Sequence, residues 1–405
     1  MNNTYDVVVV GARVAGASTA LLLARAGLDV ALVDRTAYGS DTLSTHALMR
    51  AGVLQLSRWG VLDEVVASGA PPVEKTIFHY ADGDMVPVTI RPSLGVPALY
   101  APRRDVLDRI LVDAAGAAGV DVIHGLAVTD VLRDERGRAA GVRAARTDGS
   151  SLEIGARFVV GADGLRSTVA EQVGARYERA SGVNAAVLFR YYADLCVAGY
   201  EWAYGPAAAA GLIPTNDGLT CVFVSTTPAR MRDARRSGAE TAFEQVFAAA
   251  APDHLPRLHV ASPASRFHGW SGAPGFVRRS WGPGWALVGD AGYFKDPITA
   301  HGMTDALRDA ELLSRAVVAA WNGDRTEEAA LSGYQRERDR LSQRLVDVTE
   351  QVASYDWDML TIRRLLREVS SAMVDEVEAL EQLALRHGWP GNTRMISPDR
   401  VGAAE

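Results

Sequence analysis

The sequence predicts an α/β fold: a domain of parallel strands and helices, an antiparallel sheet inserted into it, and helices at the C-terminus. Three observations predict this arrangement. A strand–helix–strand pattern opens the chain, two later apolar strands end in turns of aspartate and glycine, and residues 185–270 alternate like an antiparallel sheet. A chain of 405 residues, 48% of them hydrophobic, is long enough for two or three domains.

The N-terminal unit carries the clearest pattern. Residues 5–10 are apolar and mostly β-branched, as in a buried parallel strand. Residues 14–26 are helix formers stopped by Gly27, and residues 29–33 form a second strand with Asp34 at its carboxyl end. The crossover in such a unit is right-handed almost without exception.

The later elements follow from the same periodicities. Further strands are predicted at 98–100, 120–123, 158–161 and 285–288, and further helices at 48–59, 104–118, 168–173 and 304–321. Within the inserted sheet we expect strands at 186–192 and 219–224 and a helix around 239–250. Residues 331–387 are predicted to be helical.

Composition excludes several classes of protein. A net charge of -7 is unlike the basic face of a nucleic-acid binder. Two cysteines provide no disulfide framework, which favours a reducing compartment. The apolar run near the N-terminus has the length of a strand and lacks a cationic leader. We therefore expect a soluble, cytoplasmic protein that binds neither nucleic acid nor membrane.

A glycine-rich turn follows the first strand. It reads Gly11-Ala12-Arg13-Val14-Ala15-Gly16. In a G-x-G-x-x-G fingerprint the first glycine makes the turn, the second lets the backbone approach a pyrophosphate, and the third allows close helix–strand packing. Arg13 replaces the second glycine, and it either pairs with a phosphate or lies outside the site. Asp34 stands where a carboxylate accepts from a ribose diol, which favours FAD or NAD over NADP.

Two aspartate turns lie far along the chain. Asp163-Gly164 follows one predicted strand, and Gly289-Asp290 follows another. Thr168-Val-Ala-Glu171, just after the first of these turns, has the spacing of a capping box. Each turn alone is an ordinary loop signal, but the combination with the N-terminal fingerprint is more specific.

In this combination the chain resembles the FAD-dependent monooxygenases of the para-hydroxybenzoate hydroxylase type, which are related to flavin halogenases and prenyl reductases. The resemblance covers about residues 5–330. It implies a Rossmann-like FAD-binding domain, a substrate domain and a C-terminal helical region. The boundaries we expect are 1–75, 98–180 and 271–330 for the first, 76–97 and 181–270 for the second, and 331–405 for the third.

The resemblance also implies cofactor contacts. Asp34 would hold the adenosine ribose, Asp163 would lie near the pyrophosphate, and Asp290 would bond the ribityl chain. Arg104 matches the arginine that contacts the flavin, and Arg50 the one that contacts the pyrophosphate. The expected cofactor-binding residues are Gly11, Arg13, Val14, Ala15, Gly16, Asp34, Arg35, Thr45, Arg50, Arg104, Val128 (a backbone contact to the adenine), Asp163, Gly289, Asp290, Pro297, Gly302 and Met303.

The segment from Asp296 to Met303 then opens a helix, whose N-terminal amides would stabilise negative charge at N1 and O2 of the reduced flavin. Thr304 stands where the family often has asparagine. The resemblance therefore does not decide whether Thr304 contacts the pyrimidine edge of the flavin. His46 and His301 are the candidate catalytic residues. A structural role, such as capping the next helix, is the alternative for His46.

The resemblance implies a monooxygenase that inserts one oxygen atom from O₂, through a flavin C4a-hydroperoxide, into a hydrophobic, aromatic or polyketide-like small molecule. NAD(P)H would be a transient reductant, or a partner flavin reductase would supply electrons. An apolar lid over the flavin ring is expected from Phe189, Tyr191, Tyr192, Trp202, Tyr204 and Phe223.

The alternatives are a FAD-dependent reductase or dehydrogenase acting on C=C bonds, an oxidase, a halogenase-like enzyme and a flavin-binding protein without catalysis. The tryptophan motif of the halogenases is missing, and Lys75 is a weak candidate for their essential lysine. No His, Cys and carboxylate spacing predicts a metal site. The chain is expected to be a monomer or a homodimer.

Overall fold

The structure, a computed structural model, describes residues 4–93 and 95–387. Its strands are β1 (Thr4–Val10), β2 (Val30–Asp34), β3 (Lys75–Tyr80), β4 (Met85–Thr89), β5 (Asp121–His124), β6 (Leu126–Arg133), β7 (Ala139–Arg146), β8 (Ser151–Gly161), β9 (Tyr177–Ala180), β10 (Ala186–Ala193), β11 (Tyr200–Gly205), β12 (Ala208–Pro214), β13 (Thr220–Thr226), β14 (Ser262–Pro263), β15 (His268–Trp270), β16 (Phe276–Arg278), β17 (Trp281–Gly282), β18 (Trp285–Leu287) and β19 (Tyr293–Phe294). Its helices are α1 (Val14–Arg25), α2 (Arg50–Arg58), α3 (Leu62–Ala67), α4 (Arg104–Ala117), α5 (Thr168–Gln172), α6 (Pro228–Ala234), α7 (Ala239–Ala250), α8 (Leu255–Val260), α9 (Gly302–Trp321), α10 (Glu327–Ala353) and α11 (Met359–His387).

The first sheet has a parallel core. Its strands follow the order β17-β18-β8-β1-β2-β5, and the pairs from β18 to β5 are parallel. Val9 at its centre pairs with Leu32 on one side and Val160 on the other. Antiparallel strands β6 and β7 extend from β8. The predicted α/β fold with a Rossmann-like domain is confirmed.

Helix α1 is the central helix of this domain. Nine of its 12 residues are buried, and five of those nine are glycine, alanine, serine or threonine. It packs beside α9 and α4 over the parallel sheet. Small side chains allow the close approach that places the N-termini of helices beside the strand ends.

The second sheet is built from two separate segments of the chain. Its strands follow the order β14-β10-β13-β12-β11-β3-β4, and β3 pairs with β11 in parallel. The hairpin of β3 and β4 thus joins the antiparallel strands contributed by residues 186–226. Helix α7, predicted at the same residues, covers one face of this sheet. The domain boundaries themselves stay a prediction.

Three local expectations are corrected. Residues 98–100 do not form a strand, because Leu99 makes only an isolated bridge to Val73. The cap of α5 is Ser167 rather than Thr168: the Ser167 hydroxyl accepts a hydrogen bond from the amide of Ala170 at 2.9 Å. Tyr192 lies on the opposite face of the second sheet from Tyr191, because successive side chains of a strand alternate.

The C-terminal helical segment consists of α10 and α11, and its last residues, 388–405, lie outside the described part of the chain. Helix α11 packs against α10 and α2, where Arg58 donates to the carbonyl of Leu380 at 3.0 Å. Among the residues that the structure describes, no helix combines the length and apolar character needed to cross a membrane.

Candidate flavin and active site

The predicted turns meet at one edge of the parallel sheet. The amide of Gly11 donates to Val33 at 2.7 Å, which joins the ends of β1 and β2. Likewise Ala162 donates to Val10 at 2.8 Å and Val288 to Gly161 at 3.0 Å. Four strand ends that are distant in the sequence therefore form one continuous edge, as expected for ligand binding at the carboxyl ends of parallel strands.

Two glycines allow the turns to approach one another. Gly11 has a φ of +106°, and a Cβ there would lie 2.4 Å from the carbonyl oxygen of Ala162. Gly289 has a φ of +59°, and a Cβ there would lie 2.9 Å from the Cβ of Ala15. A side chain at either position would push the glycine-rich turn away from an aspartate turn.

Asp34 is held at this edge by its own surroundings. One carboxylate oxygen accepts from the amide of Ala12 at 2.7 Å, and the other accepts from the amide and the hydroxyl of Thr36. The residue is buried and borders a cleft whose walls include Tyr38 and His124. A fixed carboxylate beside a glycine-rich turn suits a ribose diol, and that contact stays a prediction.

The side chain of Arg13 turns toward α4. Its guanidinium lies 3.3 Å from the carboxylate of Asp108, which also accepts from Arg104 at 3.1 Å. Burial raises the pKa of Asp108, while the two arginines oppose that rise. Sequence reasoning missed Asp108, although its spacing of four residues from Arg104 is a readable signal.

Asp163 and Arg50 bond within the protein. Asp163 accepts from the hydroxyl of Ser167 at 2.5 Å and from the amide of Val169 at 3.1 Å, so it braces the start of α5. Burial raises the pKa of Asp163. Arg50 donates to the hydroxyl of Ser93 at 2.9 Å and to the carbonyl of Arg91 at 2.8 Å. Their predicted contacts with a pyrophosphate gain no direct support from these bonds.

The other predicted contact residues differ in their exposure. Arg35 is exposed just after β2, whereas Thr45 and Met303 are half-buried. Val128 is half-buried on β6 and pairs with Ala144. Val14 and Gly16 are buried in the first turns of α1, and a Cβ on Gly16 would collide with the carbonyl oxygen of Gly11.

Asp290 is exposed to solvent although many protein atoms surround its carboxyl group. These surroundings raise the pKa of Asp290 to about 6. Lys295 and Arg104 lower the pKa, and Asp309 raises it. Pro297 and Gly302 are also accessible although their neighbours along the chain, Ile298 and His301, are buried. A Cβ on Gly302 would meet no described atom within 4 Å. Asp290, Pro297 and Gly302 are thus the exposed positions in a segment that is otherwise largely buried.

Helices α1 and α9, which both begin at this edge, lack side-chain caps. In the described part of the chain no side chain caps α1, which begins after Arg13, or α9, which begins after His301. Ser167, Thr227 and Thr326 cap α5, α6 and α10, whereas among the described residues no side chain caps α2, α3, α4, α7 or α8 either. Uncapped amides with a helix dipole behind them suit an anionic ligand. With the crowded glycines and the accessible carboxylate of Asp290, these residues fit FAD.

His46 lies between the two sheets. It has a φ of 69°, is buried, and its Nε2 shares a hydrogen bond with the hydroxyl of Tyr191 on β10. Burial lowers its pKa to about 3, with further contributions from Arg104 and Arg103. The imidazole is therefore neutral at physiological pH. Sequence reasoning did not pair these two residues.

His301 lies in a buried ionic cluster. Its Nε2 is 2.6 Å from a carboxylate oxygen of Glu376 on α11, and Arg308 donates to the other oxygen at 2.7 Å. Asp305 accepts from Arg308 and pairs with Lys295. These contacts join α9 to α11 and give no support to the predicted catalytic role of His301.

Thr304 is likewise engaged inside the protein. Its hydroxyl accepts from the amide of Met49 at 3.1 Å, and the residue is fully buried. The side chain therefore holds α9 against the loop that leads into α2.

Two groups of potential metal ligands occur in the described residues, although the sequence predicted none. They are His301 with Asp305 and Glu376, and His79 with Glu201 and His254. In both groups an arginine already serves as the cation. Arg308 bonds two members of the first, and Arg257 donates to Glu201 at 2.8 Å and to His254 at 2.7 Å. These hydrogen bonds occupy carboxylate and imidazole atoms that a metal ion would need as ligands.

The antiparallel sheet presents an aromatic face to the first domain. Five of the six aromatic residues predicted as a lid belong to one apolar cluster with the parallel sheet: Phe189, Tyr191, Trp202, Tyr204 and Phe223. Ile298 belongs to the same cluster, and Met303 packs against it. The sixth, Tyr192, packs near Phe243 on the other face, which corrects that prediction.

The fold and this edge define a dinucleotide-binding flavoprotein. A family model described as an FAD binding domain matches residues 4–349. The chain therefore belongs to this family of FAD-binding oxidoreductases, and the predictions of a flavoenzyme and of FAD as cofactor are confirmed.

The chain is similar to reductases and hydroxylases. It is 28% identical over 356 residues to digeranylgeranylglycerophospholipid reductase 2 of Methanopyrus kandleri, covering 82% of this chain and 81% of that protein. It is 32% identical over 185 residues to aklavinone 12-hydroxylase DnrF of Streptomyces peucetius, covering 42% of this chain and 37% of that protein.

Among solved structures, the fold is similar to that of PqsL from Pseudomonas aeruginosa, described as "a probable FAD-dependent monooxygenase". The TM-score is 0.74 at 22% identity, and the match covers 92% of this chain and 100% of that one. A chlorinase of Pseudomonas fluorescens occurs among its relatives, and an FAD-dependent halogenase, CndH, occurs among its structural neighbours.

Proposed function

We propose that the protein is an FAD-dependent monooxygenase that inserts one oxygen atom from O₂ into a hydrophobic, aromatic or polyketide-like small molecule. One observation carries this proposal. The aromatic face of the antiparallel sheet shares a single apolar cluster with Ile298, in the turn that opens α9. An apolar enclosure next to the flavin excludes water, which oxygen transfer requires. The similarity to a 12-hydroxylase supports the same class of reaction.

In this proposal the chain holds the cofactor through the residues at the strand ends. Asp34 accepts from the adenosine ribose, and Asp290 accepts from the ribityl hydroxyls. The uncapped amides at the start of α9, near Gly302, stabilise negative charge at the pyrimidine edge. When bound, FAD supplies the redox chemistry, while the protein contributes position, electrostatics and a dry cavity. In this proposal the electrons come from NAD(P)H, which binds transiently, or from a partner flavin reductase.

His46 has a narrower role here than general acid–base catalysis. Because its pKa lies near 3, it neither gains nor loses a proton near neutral pH. Tyr191, whose pKa burial raises, remains protonated and shares a hydrogen bond with Nε2 of His46. In this proposal His46 acts as a fixed, neutral hydrogen-bonding group at the junction of the two sheets.

A second candidate is a flavin reductase that acts on C=C bonds. The observation that favours it is the similarity to the digeranylgeranylglycerophospholipid reductase, which extends over 82% of this chain. An apolar enclosure serves a reductase equally well, since a hydride acceptor also needs a dry site.

Isotopically labelled O₂ distinguishes the two candidates. The purified holoprotein is incubated with NADH or NADPH and a panel of aromatic polyketides, and the products are analysed by mass spectrometry. A monooxygenase places one labelled oxygen atom in the product and stops without O₂. Unlabelled product that gains two hydrogen atoms, and that forms equally well under nitrogen, would establish the reductase instead.

A further inference from the structure

Asp296 connects two parts of the site. It precedes the short helical turn Pro297–Thr299, and one of its carboxylate oxygens accepts from the amide of Ile298 at 3.0 Å. The other oxygen accepts from the amide of Ala185 at 2.6 Å, although 111 residues separate Asp296 from Ala185. A single side chain thus contacts the turn that opens α9 and the residue that leads into β10.

The two hydrogen bonds of Asp296 form a bridge between the turn that opens α9 and the start of β10. Both ends of this bridge are buried. Asp296 is 5% exposed and Ala185 is fully buried. The strand that follows Ala185 carries Phe189 and Tyr191, two residues of the aromatic face. The bridge therefore links the turn that contains the exposed Pro297 to the strand that carries these two aromatic residues.

The bridge requires a carboxylate. Each of its two oxygens accepts from one backbone amide, so an asparagine would turn its NH₂ group toward one of the two donors. The amide facing that NH₂ group would then be buried without an acceptor, which is unfavourable. Serine can cap the turn at Ile298 in the way that short hydroxyl residues do, but it is too short to reach Ala185 as well.

Stability alone does not account for this residue. In the part of the chain that the structure describes, no lysine, arginine or histidine forms an ion pair with Asp296, and backbone amides are its hydrogen-bond partners. Burial of a carboxylate without a counter-charge is unfavourable. A buried carboxylate without a counter-charge that bridges the turn before α9 and the start of β10 indicates a positioning role.

We propose that Asp296 is a positioning residue whose carboxylate holds the turn of residues 297–302 against the start of β10, so that the flavin-facing amides and the aromatic wall keep one relative position. This inference rests on the part of the proposed function that places the flavin ring against that turn. It does not depend on whether the reaction is oxygen transfer or reduction.

The test uses Asp296→Asn and Asp296→Ser in the FAD-loaded protein. Both variants should retain FAD, since Asp290 and the glycine-rich turn are unchanged. If the turn shifts, the reduced flavin loses stabilisation from the amides of α9. We expect binding of the reduced flavin to weaken about tenfold relative to binding of the oxidised flavin. This change lowers the midpoint potential by about 30 mV. Asp296→Ser separates the bridge from the cap, because it keeps the bond to Ile298.

A second measurement needs no cofactor. Hydrogen exchange is measured in FAD-free protein. In Asp296→Ser the amide of Ala185 should exchange at least about tenfold faster, because it loses its acceptor. In Asp296→Asn the same acceleration should appear at whichever of the two amides, Ala185 or Ile298, faces the NH₂ group. Asp296→Glu keeps two acceptor oxygens and should restore part of the protection. The matched control is Glu201→Gln, a buried carboxylate on β11 of the same sheet, which should leave the potential and the exchange at Ala185 unchanged.

The outcomes are distinguishable from failure of the proposed function. An unchanged potential together with unchanged exchange at Ala185 would overturn the inference, whatever the enzyme does to its substrate. Accelerated exchange with an unchanged potential would also overturn it, because the bridge would then exist without positioning the flavin. Undiminished FAD content in Asp290→Ala would instead contradict the proposed flavin site and leave the exchange result interpretable.

Discussion

The hydroxyl of Tyr191 hydrogen-bonds Nε2 of His46, and this bond joins β10 to the loop between β2 and α2 across 145 residues of sequence. The two rings also lie nearly parallel, with centroids 5.7 Å apart. Nδ1 of His46 has no hydrogen-bond partner among the described residues. The pair is thus a neutral, buried contact between the domain that binds FAD and the sheet that presents the aromatic face.

We expect Tyr191→Phe and His46→Ala to slow flavin reduction or reoxidation by roughly tenfold, the effect of one lost hydrogen bond, while FAD stays bound. The reason is that either change releases the loop that follows β2. Stopped-flow absorbance of the flavin measures both rates. Tyr192→Phe is the control, because that side chain lies on the other face of the same strand. Unchanged traces in both variants would return His46 to a purely structural role.

Asp290→Ala should lose FAD during purification. A hydrogen bond to a charged group contributes about 1.5–3 kcal/mol, so the Kd for FAD should rise by roughly 10- to 150-fold. Flavin content per protein and a fluorescence titration measure this loss. Asp148→Ala, in the exposed turn between β7 and β8, is the control that should keep its flavin.

FAD binding should weaken as the pH falls from 7 to 5. The pKa of Asp290 in the FAD-free protein is raised to about 6, so the carboxyl is ionised above that pH and becomes neutral below it. An ionised carboxylate is the stronger acceptor for ribityl hydroxyls, so the contribution of Asp290 to the affinity is complete well above pH 6 and is lost progressively below it. Measurements of the Kd for FAD between pH 7 and pH 5 test whether the affinity falls with pH. In Asp290→Asn the Kd should depend less on pH. A Kd that stays constant in the wild-type protein would contradict this assignment.

Gly289→Ala should destabilise the protein and reduce its flavin content together. The residue has a positive φ, and the new Cβ would lie 2.9 Å from the Cβ of Ala15. Gly27→Ala is the matched control, because Gly27 also has a positive φ but has open space around it. The backbone strain common to both is about 1 kcal/mol. Thermal unfolding should show a larger loss at Gly289, and equal losses would mean that the contact with Ala15 relaxes freely.

Glu376→Ala should remove much of the stability of the C-terminal helices. It leaves Arg308 buried without one of its carboxylates, and breaking a buried ion pair in this way costs about 3–5 kcal/mol. Glu368→Ala on the same helix breaks an exposed pair with Arg364 and should change the free energy of unfolding by less than about 1 kcal/mol. Urea unfolding compares the two. A small effect at Glu376 would show that the cluster is not a main attachment of α11.

The sequence alone predicted the architecture and the turns because their signals are local. Strand and helix periodicity, the glycine-rich hexapeptide and the two aspartate turns each occupy a short stretch of chain. Parallel pairing of β1, β2, β8 and β18 then brings those turns to one edge. The amide of Ala12 bonded to Asp34, and the crowding of Gly11 and Gly289, follow from that geometry.

Only the tertiary structure decided which distant residues meet. Nothing near His46 in the sequence points to Tyr191, and nothing near Asp296 points to Ala185. His301 stands beside a predicted helix start, yet Glu376, far along the chain, determines its environment. Local patterns specify the conformation of a segment and the face that it buries. The partner it meets depends on how all the segments pack together, because that packing depends on contacts throughout the chain.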